Sequence, residues 1–582
     1  MMRQLGVLPV MTGVLLVGGV EGVQAQSSLF LAYPPPNHET QAERIFLIGT
    51  APPQGEVLIN GEVVARSQDG HFAPSFPLQL GENQFTLRYG DEQQTITITR
   101  VKSQPQLNEN GLAPDSLTPQ RNIARLPEER ICFRAMAAPN AEVSVTLGDS
   151  TLPLTPQPDS TLLPSNLAVL TAENDPTPLQ SALDYQGCLQ VSQPGNLGTA
   201  TFNIVTGNER RAMEGGAVSI LSPANLEVVE VTAASGVART GPGTSYSRLT
   251  PLPQGSRATV TGREGDWLRL RYGAWIRENE TRLLPGAAPV TSTIRSILAR
   301  QQEGATEVVF PLEFPVPVSV QQRDRSFTLT LHNITAQTDT IWLDDDPLIR
   351  RLDWEQVTPE TINYTFQLKS DQQWGYDLRY EGSSLILRLD HPPETQAGNL
   401  QGLRIVLDPG HGGEELGARG PNGYPEKSVN LAVSRLLQQE LEQRGATVYL
   451  TRETDRELGL RERMDYIAEV NPDLAFSVHY NALPDDGDAM NTAGVGMFWY
   501  HPQAHDLAVF LHNYLVENLE RPSYGVFWNN LALTRPHAAP TVLMELGFMI
   551  NPREFEWITR EEEQERLADA LASGITEWVN RR

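Results

Sequence analysis

The stretch Arg404-Ile405-Val406-Leu407-Asp408-Pro409-Gly410-His411-Gly412-Gly413 decides how this chain is read. Its apolar run makes a short buried strand, and the Asp-Pro-Gly that follows ends it in a glycine-rich turn lifting one histidine above a sheet edge. Beyond it, strands and helices alternate. A helix is predicted over 427–444, with Val429, Val433, Leu436, Leu437 and Leu441 on one face. A strand at 447–450 follows, then a helix over 459–470 with Leu460, Met464 and Ile467 inward, then an apolar strand at 474–479 that ends in His479. Further strands are read at 495–500 and 541–544, the second running into Glu545-Leu546-Gly547. A last amphipathic helix carries Leu567, Leu571, Ile575 and Trp578. This order implies an α/β domain over 402–582, with a mainly parallel sheet covered by helices on both faces.

Toward the N-terminus the pattern is β only, so the expected fold is multidomain, with all-β modules preceding the α/β domain. A strand-rich module spans 290–393, with runs such as Glu307-Val308-Val309-Phe310 and Ser384-Leu385-Ile386-Leu387. Short strands parted by glycine-bearing turns fill 217–285, and a β-rich module with a Pro- and Thr-rich insertion near 152–180 fills 123–208. A polar linker over 102–122 joins it to a β-sandwich at 29–101, where alternating segments meet turns at Asn60-Gly61 and Asp69-Gly70. No residue cluster in the first 400 positions carries chemistry, and these modules are read as non-catalytic.

At 582 residues the chain exceeds what one core supports, and its 71 Asp plus Glu against 45 Lys plus Arg leave a formal charge of −26. Such a surface repels nucleic acid and anionic membranes. Residues 1–25 read as a signal peptide: Arg3, an apolar run over 5–20, then Val23-Gln24-Ala25 as a small-x-small cleavage site. The alternative is a membrane anchor or a buried strand. With a signal peptide the chain is exported, to a periplasm or the cell wall, with no stable membrane insertion after cleavage. There Cys132 and Cys188 can close a loop as a disulfide, the alternative being two buried thiols.

His411, Glu426, His479 and Glu545 all fall at the carboxyl ends of strands or at the mouth of a helix, where open α/β sheets hold their ligands. Two imidazoles and a carboxylate are the set that holds hydrolytic zinc, with a fourth position left for water. A second carboxylate is then needed to carry the water proton to the leaving nitrogen. Glu545 suits that role because an apolar strand desolvates it. Taken singly, each residue has a plainer reading: a hydrogen-bonded structural histidine, a helix-start glutamate, a strand-end carboxylate. Their joint position on one edge favours the site.

The motifs Asp408-Pro409-Gly410-His411-Gly412-Gly413, Glu426-Lys427, Thr451-Arg452, Leu460-Arg461, Ser477-Val478-His479-Tyr480-Asn481-Ala482 and Glu545-Leu546-Gly547-Phe548 with Asn551 resemble the zinc-dependent N-acetylmuramoyl-L-alanine amidases of the amidase-3 type, in order, over 402–580. The resemblance implies zinc on His411, Glu426 and His479, Glu545 as catalytic base, and Ser477 and Asn481 as supporting or substrate-binding residues. His537 is taken as the further histidine able to reach the cleft. The segment 236–276, with Gly241-Pro242-Gly243, Gly265-Asp266-Trp267 and Gly273-Ala274-Trp275-Ile276, resembles the bacterial SH3-like family, and 290–393 resembles an AMIN-like localisation module. Tyr246, Trp267 and Trp275 serve there either wall binding or the core.

Two departures stand out. Glu414-Glu415-Leu416 put extra negative charge near the first ligand, and Tyr480 stands where a smaller residue is usual; either departure can alter substrate fit without removing the chemistry. The stretch between Tyr500 and Tyr524 is too short for the long inhibitory helix of some relatives. The expected activity is hydrolysis of the amide between N-acetylmuramic acid and L-alanine in peptidoglycan, for wall remodelling or daughter-cell separation. The rivals are a zinc hydrolase of another wall bond and a non-catalytic wall-binding scaffold. The need for a protein activator, the stem-peptide preference and the oligomeric state are not set by the sequence.

Overall fold

The computed structural model describes residues 28–582 apart from 103–106, 109–110, 158–159, 172–173, 180–181 and 396–397. The segment read as a signal peptide lies outside the described residues. No helix among those described is long and apolar enough to cross a membrane.

The C-terminal unit is built on six strands: β1 (Arg404–Pro409), β2 (Thr447–Leu450), β3 (Leu474–Asn481), β4 (Val495–Trp499), β5 (Ser523–Trp528) and β6 (Thr541–Phe548). They lie in the order β2-β1-β3-β6-β4-β5. The first four in that order run parallel, and β4 opposes β6 with Gly496 beside Glu545 and Phe498 beside Leu543. Alternation along the strands explains the two layers. Ile405, Leu407, Phe476, Val478, Val542 and Met544 face a core shared with α1 (Glu426–Gln443), α3 (His505–Asn518) and α4 (Glu561–Asn580). Val406, Ala475 and Leu543 face the other way, onto Ile467 of α2 (Leu460–Val470). With both faces covered, the strands are continuous apolar runs. Fully burying a side chain such as Phe476 contributes about 1.5–3 kcal/mol.

On α2 the facing differs from expectation. Leu460 is 58% exposed, while Arg463 is buried and reaches a buried carboxylate under the sheet edge. The hydrogen-bonding demand of that carboxylate outranks the apolar period.

The rest of the chain is β-rich. An N-terminal unit pairs Gly81–Tyr89 with Glu92–Arg100 over a core of Ile45, Leu47, Val57, Phe72, Leu87 and Ile98. In the next stretch Arg130–Ala137 lies antiparallel to Leu183–Gln190, with Cys132 opposite Cys188 and the two joined as a disulfide. The short strand Ile123–Arg125 pairs with Glu209–Ile220 on one side and Arg257–Glu264 on the other, so one sheet runs on from there into the 217–285 stretch. In that stretch Trp267 and Trp275 are buried and Tyr246 is 48% exposed. Residues 292–390 form a five-stranded and a four-stranded sheet around Phe310, Phe327, Leu329, Tyr364, Phe366 and Leu387.

Candidate active site

β1 ends at Pro409, and the chain turns so that the Gly410 amide donates to the Val478 carbonyl at 3.0 Å. His411 follows with φ +58°, an uncommon conformation for a side-chain-bearing residue. Two guanidinium groups hold it there from below. Arg452 donates to the carbonyls of Pro409 and Gly410, each at 2.9 Å, and Arg463 donates to those of Pro409 and His411, each at 2.8 Å. Both arginines are buried, and Arg463 also pairs with buried Asp408 at 2.7 Å. Asp408 further accepts the hydroxyls of Thr451 at 2.5 Å and Ser477 at 2.7 Å. Ser477, expected near the ligands or substrate, thus supports the carboxylate under the His411 loop.

Glu426 opens α1 and is 3% exposed. Its Oε2 lies 3.1 Å from His411 Nε2, and its Oε1 lies 3.0 Å from His479 Nδ1. Amide donors orient the same carboxylate: Ala418 N at 2.8 Å, Tyr480 N at 3.1 Å and Asn430 Nδ2 at 3.0 Å. Burial alone pushes its pKa up, but the bonds with the two imidazoles outweigh it and hold the group well below the usual carboxylate range. Burial likewise works against charge on His411, and bonds with Glu426 and Glu415 reverse it and raise its pKa. The added acidity after the first histidine has a partner, since His411 Nδ1 lies 2.9 Å from Glu415 Oε1. The two imidazoles meet edge on, with centroids 4.9 Å apart.

One ligand atom from each of His411, Glu426 and His479 lies within 4.8 Å of the others. Two features fit this set to a metal cation. Two imidazoles with one carboxylate are a borderline-soft N/O donor set. The backbone also leaves no room beside it: a Cβ on Gly410 would come within 2.2 Å of the His479 ring, and one on Gly417 within 2.4 Å of Glu426 Oε2.

Glu545 stands beside His479 in the β3/β6 register. Its Oε2 is buried and has no hydrogen-bond partner among the described residues. Burial and then the charge of Glu426 push its pKa well above the usual range, so the group is poised to take up a proton. Tyr524, on β5, lies close enough for Glu545 to raise its own pKa, after burial. Asn481 is at the end of β3, its Oδ1 accepting from Ala482 N at 2.8 Å.

His411, Glu426, His479 and Glu545 therefore meet at one end of the sheet, and His537 does not join them. It precedes β6 at the opposite end, stacked on Tyr376 at 4.6 Å, where burial depresses its pKa to about 4. Tyr480 is 2% exposed and faces the core, so it does not shape the groove; alternation from His479 sends it inward. The supporting roles of Asp408, Asn430 and Arg463 went unread because their partners are backbone groups of the turn and, for Asp408, side chains 43 to 69 positions away. Buried charge at Arg463 on an otherwise apolar face was the available signal.

Residues 405–577 match the protein-family model described as N-acetylmuramoyl-L-alanine amidase. The chain is 33% identical over 178 residues to the probable cell wall amidase LytH of Staphylococcus aureus, a match covering 30% of this chain and 58% of that protein. It thus spans little more than half the length of these curated relatives. Among solved structures, the catalytic domain of CwlV, an N-acetylmuramoyl-L-alanine amidase from Bacillus (Paenibacillus) polymyxa var. colistinus, is 28% identical, with a TM-score of 0.29, covering 31% of this chain and 99% of that one. The amidase AmiC2 of Nostoc punctiforme is 29% identical, with a TM-score of 0.29, over 31% of this chain and 98% of that one. The C-terminal third of this chain is thus similar to N-acetylmuramoyl-L-alanine amidases.

Proposed function

We propose that the 402–582 unit is a zinc-dependent peptidoglycan amidase that hydrolyses the amide between the lactyl group of N-acetylmuramic acid and L-alanine. The observation that carries this reading is the pairing of a His411–Glu426–His479 donor set with a separate, buried carboxylate at Glu545. His411, Glu426 and His479 would hold the zinc, which when bound would supply Lewis acidity toward a water molecule and the scissile carbonyl. Glu545 accepts the water proton as the new C–O bond forms. It then returns that proton to the departing nitrogen as the C–N bond breaks, so proton and leaving group balance. Ser477 and Asp408, with Arg452 and Arg463, keep the His411 loop in one geometry throughout. Asn481, on the rim, is assigned a substrate contact.

Export to the periplasm or wall, with residues 1–25 removed, places such an enzyme with its substrate. The 217–285 and 290–393 units, read as SH3-like and AMIN-like, dock it there in wall remodelling or cell separation. The test is mass spectrometry of purified peptidoglycan digested with wild type and with Glu545→Ala, each with and without a zinc chelator. Stem peptides beginning at L-alanine, lost on chelation and in the variant, are the expected result. An unchanged wall points to a scaffold, and other fragments to a different hydrolase.

A further inference from the structure

Two adjoining cavities, of about 310 and 410 Å³, lie where the 217–285 and 292–390 stretches meet the C-terminal unit. Both are lined by Val237, Arg248, Thr250, Pro251, Tyr376 and Arg535. They sit away from the metal-binding cluster. β4 opposes β6, so Tyr500, just beyond β4, belongs to the end of the sheet where β6 begins. Glu545 is four residues further along β6, about 13 Å at the rise of a strand.

The charge in these cavities is unusual for this chain. Arg248 and Arg535 both line them, and Arg239 lies close enough to depress the pKa of Arg535. None of the three is in an ion pair among the described residues. Arg239 is 7% exposed, gives one terminal nitrogen to the carbonyls of Thr244 and Tyr246, and has an unpartnered Nε. Arg535 is held by Asn530, its Nε donating to Oδ1 at 2.8 Å. Glu280 acts on Arg239 and Arg248 from a distance, and its Oε2 already accepts the Val237 amide at 3.0 Å. Two further acids line the first cavity, and each already has an arginine beside it: Asp465 is paired with Arg461 at 2.9 Å, and Asp377 lies 3.7 Å from Arg379. Burial and mutual repulsion bring the Arg535 guanidinium down to about 10. In a protein of net charge −26, clustering like charges half out of water costs free energy that a bound anion offsets.

We infer that these cavities form a binding site for a short acidic peptide, its carboxylates held by Arg248 and Arg535. A planar guanidinium matches a carboxylate with two parallel hydrogen bonds. The walls select for peptide over a bare phosphate: Pro251, Tyr376, Tyr500 and the exposed Trp528 offer apolar surface for small aliphatic side chains. The space suits a few residues and excludes a folded partner. The choice of a wall stem peptide as occupant rests on the amidase reading. On that reading the enzyme grips one peptide of the wall at this end of the sheet while the other end cleaves.

The test is calorimetric titration of full-length Glu545→Gln, in which turnover is slowed, with L-alanyl-γ-D-glutamyl-L-lysine, a peptide that lacks the scissile muramoyl amide. The controls are the same peptide with its carboxylates amidated, and inorganic phosphate. Saturable binding of the free-acid peptide is expected, weakened at least tenfold by amidation and at least tenfold by an added Arg248→Gln. Arg248→Lys should recover part of the loss, and Arg535→Gln should repeat it should the first variant fold poorly. Equal binding of the amidated peptide, indifference to both arginine variants, or phosphate competing as strongly as peptide would overturn the inference. The readout does not use catalysis. Binding without peptide release by wild type from peptidoglycan would sink the amidase reading and leave the site standing, whereas release without binding would sink only the site.

Discussion

Glu426 and Glu545 are two carboxylates in one cleft whose surroundings drive them apart. The first has two imidazoles and three amide donors and is held ionised, while the second has a partnerless oxygen and is pushed toward protonation. Their division of labour yields opposite predictions. Glu545→Gln should lower kcat by a factor of about 10²–10⁴ while metal content, read by atomic absorption, stays at the wild-type level. Loss of metal in that variant would make Glu545 a ligand and not a base. Gly410→Ala acts on the ligand set from behind. Its Cβ would meet the His479 ring at 2.2 Å, so the imidazole must move, and zinc affinity should fall about 10- to 100-fold in competition with a chromophoric chelator. Sequence reading reached these four residues because His411, His479 and Glu545 follow apolar runs and Glu426 opens a helix at the same edge. It misjudged Tyr480 and His537 because the direction of a side chain and the end of the sheet a loop occupies depend on neighbours that the local pattern does not contain.

At the level of elements, the strand and helix order of the C-terminal unit was legible from periodicity, and the departures come from polar groups. α2 was read as an apolar face of Leu460, Met464 and Ile467, yet it turns Arg463 inward because Asp408, buried at 1% exposure, requires a cation. The single guanidinium of Arg463 ties α2 to the end of β1 and to the His411 carbonyl. Arg463→Met should therefore cost about 3–5 kcal/mol locally, the cost of leaving a buried charge with hydroxyl partners alone. Hydrogen exchange at the amides of residues 410–413 should quicken by at least about a hundredfold. Unchanged exchange there would mean that Arg452 suffices to hold the loop. β5 was not read from the sequence, since its SYGVFW run is half-exposed and lacks a clean alternation. The Ile123–Arg125 strand was also missed: three residues carry no period, and their partners lie about 95 and 140 positions away.

Across the whole molecule, the N-terminal β unit is packed on the cleft rather than hung from a linker. Phe46, Ile48 and Ala73 share one buried cluster with Ala489, Phe548 and Ile550, joining the loop after β3 to the end of β6. The same loop is pinned by Asp485, which bonds Tyr33 and lies 2.9 Å from His38 Nε2. His479 and Glu545 precede the two anchored segments by a few residues, so docking of the β unit bears on the site's geometry. Phe46→Ala should cost about 3–5 kcal/mol through the cavity it leaves, and kcat/KM on peptidoglycan should fall with it. The polar pin adds a pH dependence. Burial alone raises the Asp485 pKa, but hydrogen bonds from Thr40, Tyr33 and His38 outweigh it and bring the group below its ordinary value of about 3.9. A carboxyl depressed in the folded state stabilises above its unfolded pKa and loses that contribution as pH falls through the folded one. Wild type should thus melt above Asp485→Asn at neutral pH, the gap beginning to close below about pH 4 and vanishing at lower pH. Scanning calorimetry of both proteins across that range checks it. A gap that persists at low pH would show that Asp485 stabilises through packing and not through its charge.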